Sequence, residues 1–65
     1  MAGNTIGQLM VLIGEVNKKY EAGIINEQTK ITQIAYFITI LRQIGAKDEA
    51  DRVKRNYNIP ESAID

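Results

Sequence analysis

Apolar residues recur at spacings of three and four along three segments of this chain, and two glycines and a proline separate the segments. That period is the stripe of an amphipathic helix, which turns once in about 3.6 residues. In the first segment the stripe is Ile6, Leu9, Ile13, Val16 and Tyr20. Thr5, with Gln8 three residues later, fits a capping box. Lys18 and Lys19 place cations at the negative end of the helix dipole, and Gly23 suits a left-handed stop. A helix is expected over about residues 5–22.

The second segment opens on Asn26, a good N-cap, with Glu27 in the first turn. Its stripe is Ile31, Ile34, Ile38, Leu41 and then Ile44 or Gly45. Residues 31–41 are also rich in β-branched and aromatic side chains, which favour strands. A strand would need a partner to satisfy its backbone, and the chain offers no convincing one. A second helix is therefore expected over about residues 27–44.

The third segment is short. Asp48, Glu49 and Asp51 precede Lys54 and Arg55, an order that suits the dipole. Ala46, Ala50, Val53 and Tyr57 make a narrow apolar stripe. Asn58, Ile59 and Pro60 form a stop, because Asn tolerates the left-handed position and Pro cannot continue a helix. This helix is expected over about residues 47–57, and residues 61–65 are expected to fray as a C-terminal tail. The fold class that follows is all-α. It is a single domain, residues 1–60, made of a helical hairpin plus a short third helix, assembled as an oligomeric helical bundle.

Oligomerisation enters because 65 residues build only a small core. A chain of that size buries about 60 % of its unfolded surface and is marginal alone. Small folds add disulfides, a metal or partner copies. Cys and His are both absent, so disulfides and the usual nitrogen and sulfur metal ligands are excluded, and no cofactor is implied. Copies of the chain itself are the support that remains.

The helices also carry more apolar surface than one stripe accounts for. Leu9, Met10, Val11, Leu12 and Ile13 are consecutive and point all round their helix. Ile34 to Ile38, then Ile40 and Leu41, do the same in the second. A helix apolar all round is covered on most sides. Ile13, Ile34, Ile38 and Leu41 are expected in the core, and Met10, Leu12, Phe37 and Ile40 in an oligomer contact. Val11, Tyr36 and Ile44 lie beside the same stripes. Gly7 and Gly14, seven residues apart, share a face where another helix could approach closely.

Catalysis is not expected. The usual general base and the thiol nucleophile are missing, and the acidic group Asp48, Glu49 and Asp51 is explained by the dipole. The glycines are isolated, so no phosphate-cradling loop is present. Nucleic-acid binding is the second expectation. Arg42, Arg52, Lys54, Arg55 and Tyr57 cluster late in the chain, and a helix, a turn and a short helix outline a helix-turn-helix. Against it, the acids occupy the front of the short helix, where base-reading side chains would sit. The chain as a whole balances eight acids with eight bases, so it has no general attraction for phosphate. Pairs such as Asp51 with Arg55, and Glu49 with Arg52, would neutralise the short helix internally.

A third expectation is a small ligand held between helices, with Tyr20, Tyr36, Phe37, Arg42 and Tyr57 as lining. No apolar stretch is long enough to span a bilayer and the polar faces are not strongly basic, so no membrane partner is expected. No basic residue precedes the first apolar run, so a secretory signal is not expected, and the chain is read as cytoplasmic. The function that fits is a non-enzymatic, self-associating module that binds another protein. Regulators, inhibitors and adaptors, many of them viral or carried by mobile elements, are of this kind.

Overall fold

A computed structural model describes residues 5–64. They form α1 (Thr5–Glu21), α2 (Glu27–Gln43), α3 (Lys47–Asn56) and a 3-10 turn, Glu61–Ala63. No strand occurs among the described residues, so the helical reading of 31–41 holds. Thr5 is the first helical residue, and the cap position falls before it, outside the described residues. At α2 the expected cap forms: Asn26 Oδ1 accepts a hydrogen bond from the Thr29 N–H at 2.8 Å.

All three helices end in the same way. Gly23, Gly45 and Asn58 adopt positive φ, at 77°, 86° and 56°. In each case the next N–H folds back to a carbonyl in the last turn: Ile24 to Lys19, Ala46 to Leu41, and Ile59 to Lys54. This is the Schellman motif, which satisfies carbonyls that a helix end leaves free. A side chain at Gly23 or Gly45 would be strained whatever the space around it.

The core lies between α2 and the other two helices. α2 packs against both α1 and α3, while α1 and α3 share no comparable contact. Ile13, Ile34, Ile38, Leu41 and Val53 are fully buried, and three of these five lie on α2, which makes it the centre of the fold. Each contributes roughly 1.5–3 kcal/mol by leaving water. The side of α2 that bears Ile34, Ala35, Ile38 and Leu41 is buried, and its opposite side bears Tyr36, which is exposed. No polar or charged residue is buried among those described. The Thr39 hydroxyl donates to the Ala35 carbonyl at 3.1 Å and so satisfies itself within its own helix.

One expectation needs correction. Residues 61–65 do not simply fray: Glu61–Ala63 form the 3-10 turn and Ile64 is 8 % exposed, within the core cluster. Ile59 is buried as well, at 2 %. Two branched apolar side chains on either side of a charged turn hold the segment down. Asp65 lies outside the described residues.

Candidate functional site: an uncovered apolar face and an ion-paired edge

α1 and α2 together leave one apolar face open to water. Val11 is 61 % exposed, Leu12 43 % and Tyr36 65 %. A groove between the two helices is lined by Leu12, Glu15, Val16, Lys19, Thr32, Gln33, Tyr36 and Phe37, and a shallower depression next to it by Gly7, Gln8, Val11 and Leu12. Leu12 lines both, so the two are continuous. The Tyr36 and Phe37 rings meet edge to face, 5.8 Å between centroids, a favoured aromatic geometry.

The four residues expected at an oligomer contact do not share one environment. Leu12 is on the open face. Phe37 and Ile40 are half-buried and pack against the core, and Phe37 also lines the groove. Met10 also packs against the core. It is two residues from Leu12, about 200° around the helix. Val11 and Tyr36 line the depression and the groove that Leu12 shares.

Gly7 and Gly14 do not serve close packing among the described residues. A Cβ on either would meet none of their atoms within 4 Å. Gly7 is exposed and lines the depression beside Val11.

The basic residues of the other edge are engaged. Arg42 forms a two-pronged hydrogen bond to Glu61, at 2.9 and 3.1 Å. Lys54 approaches the same carboxylate at 3.9 Å. Arg55 pairs with Asp51 at 2.9 Å, as expected one turn apart, whereas Glu49 and Arg52 form no ion pair. Arg52 is exposed on α3, and Tyr57 is half-buried against the core. The hydrogen bond from Arg42 holds the Glu61 carboxyl below the usual carboxylate range; slight desolvation opposes this, and the charges of Arg42 and Lys54 reinforce it. The same bond raises Arg42. Arg42, Lys54 and Arg55 are thus already facing acids, which leaves less positive charge for a phosphate backbone.

The ligand-lining group is not assembled as expected. Tyr36 and Phe37 line the α1–α2 groove, but Tyr20, Arg42 and Tyr57 do not. Tyr20 instead lies under the Lys30 ammonium, 4.3 Å from the ring centroid, a cation–π contact. Among the described residues no cluster of carboxylates could hold a metal ion, and no helix is long and apolar enough to cross a membrane. Comparison with known proteins finds no matching family model, no significantly similar curated sequence and no significantly similar solved structure.

Proposed function

We propose that this chain is a small non-enzymatic interaction module that assembles with a second copy of itself through the open α1–α2 face, and that the assembly acts as a regulator, inhibitor or adaptor of another protein. The observation that carries the reading is the continuity of exposed Val11, Leu12 and Tyr36 across two helices. Contiguous apolar patches of this kind mark interaction sites, whereas isolated exposed side chains do not.

A second copy is the favoured occupant for two reasons. The face carries both an acid, Glu15, and a base, Lys19, with neither engaged in an ion pair among the described residues. A two-fold contact places each surface against itself, and a surface of mixed sign is compatible with that where a single-sign surface is not. Size is the second reason. Two helices of 17 residues laid side by side offer on the order of 500 Å² in projection. Side-chain relief brings this toward the roughly 800 Å² per partner of a standard interface. Gly7 adds room for a neighbouring helix to approach.

Leu12→Asp and Tyr36→Asp test the reading by light scattering. Both side chains are exposed, so each variant should keep its helical circular dichroism and lose assembly. Unchanged assembly in both would move the contact elsewhere.

A further inference from the structure

We propose that the Tyr36 ring of each copy seats in the depression that the other copy forms from Gly7, Gln8, Val11 and Leu12. The inference rests on the self-assembly proposed above and adds which side chain meets which.

The open face carries a projection and a recess that do not meet within one chain. Tyr36 is 65 % exposed, and it is the only aromatic among the exposed large apolar side chains of the described residues. Its ring lies edge to face against Phe37, and Phe37 packs against the core. The projection is therefore oriented before a partner arrives. Tyr36 lines the α1–α2 groove but not the depression, and Leu12 is the residue common to the two.

The recess contains a glycine that the described residues do not explain. Gly inside a helix is destabilising relative to Ala, because its backbone loses more freedom on folding. At Gly23 and Gly45 a positive φ requires it. Gly7 has no positive φ, and a Cβ there would meet no described atom within 4 Å. Neither backbone conformation nor packing among the described residues calls for a glycine at this position. A side chain there would occupy part of the depression that Gly7 lines. The missing side chain leaves room for a group from outside.

Symmetry brings projection and recess together. A two-fold axis that lies in the contact plane and bisects the line between two features of one face sets each feature on the other. Both insertions form at once, because a two-fold contact is reciprocal. The axis then passes beside Leu12, which groove and depression share, and Leu12 meets its own copy.

The recess also has the chemistry for a phenol. Val11 and Leu12 offer apolar surface to the ring. Gln8 offers a side-chain amide to the hydroxyl, which needs a hydrogen-bond partner once it is covered. No charged residue lines the depression among those described, so seating the ring strands no ion there. A tyrosine in a pocket near the centre of an interface is a side chain of the kind that carries binding energy.

The test exchanges projection and recess between two full-length chains. Tyr36→Ala removes the ring, and Gly7→Leu fills the depression. Both positions are exposed, so each variant should keep its helical circular dichroism. Gly7→Met, unbranched, replaces Gly7→Leu if the latter loses helical signal. Alone, each variant should assemble about tenfold or more weakly than the natural chain by sedimentation. Mixed in equal parts, the two should recover assembly as a mixed dimer, identified by its mass in native mass spectrometry. In that dimer the remaining Tyr36 enters the remaining depression, and the new leucine meets the space left by the missing ring. Two results would overturn the proposal, and they are told apart. A natural chain that stays a single-chain species removes the self-assembly reading and the seat with it. The other result begins with a natural chain that assembles and is broken by Leu12→Asp. If Gly7→Leu then assembles as well as the natural chain, or the mixture yields no mixed dimer, the seat alone is removed and the face stands.

Discussion

The two edges of α2 solve the same problem in opposite ways. Toward α3, surface is covered from within: Ile59 and Ile64 close the apolar cleft, and Arg42, Lys54 and Arg55 each face an acid. Toward α1, apolar side chains stay in water, and none of the ion pairs formed among the described residues lies there. The α3 edge is covered by its own chain, whereas the α1 edge keeps Val11, Leu12 and Tyr36 exposed.

The comparison can be broken at its shared element first. Ile38→Ala removes a fully buried side chain of α2, the helix that both edges share. Such a deletion costs about 2–5 kcal/mol, enough to unfold a domain this small. Chemical denaturation followed by circular dichroism should show the largest loss of any substitution considered. The face variants come next. Leu12→Asp and Tyr36→Asp should abolish assembly while leaving most of the helical signal.

Gly7→Ala then separates monomer stability from assembly. With no atom near the added Cβ, alanine should stabilise the isolated fold by roughly 0.5–1 kcal/mol. That corresponds to a rise of a few degrees in Tm. If a second helix approaches there, assembly weakens at the same time. A stabilised chain with unchanged assembly would remove Gly7 from the contact.

Acid should loosen only the α3 edge, with the smallest effect. Glu61 has a lowered carboxyl pKa in the fold, so its contribution is complete above the unfolded value of about 4.3. It is lost as pH falls through the lower folded value. Amide shifts of Glu61 to Ile64 should move in that acidic window ahead of those of Ile34 and Ile38. Glu61→Gln should remove this movement and lower Tm only slightly.

Much of the fold was legible because local rules and burial agreed. Leu9, Ile13, Val16, Ile34, Ile38, Leu41, Ala50 and Val53 lie on the expected stripes and are buried. Gly23 and Asn58 take the left-handed stops expected of them, and Asn26 caps α2. Sequence reasoning failed where long-range contacts decide. Residues 61–64 look like a polar tail, and the burial of Ile59 and Ile64 together with the reach of Glu61 back to Arg42, nineteen residues away, shows why they settle. A run of consecutive apolar residues says that surface is in excess, but not which member the neighbouring helix covers: Met10 packs against the core and Val11 stays exposed. The tight pairing of Arg42 with Glu61 was likewise hidden, although both charges were visible.

The most direct measurement mixes isotope-labelled and unlabelled chains in equal parts and records nuclear Overhauser contacts between them. Assembly through the open face predicts contacts from Val11, Leu12 and Tyr36 of one copy to the α1–α2 face of the other. Their absence, in a sample that behaves as a single 7.3 kDa species at the concentration of the experiment, would contradict the account.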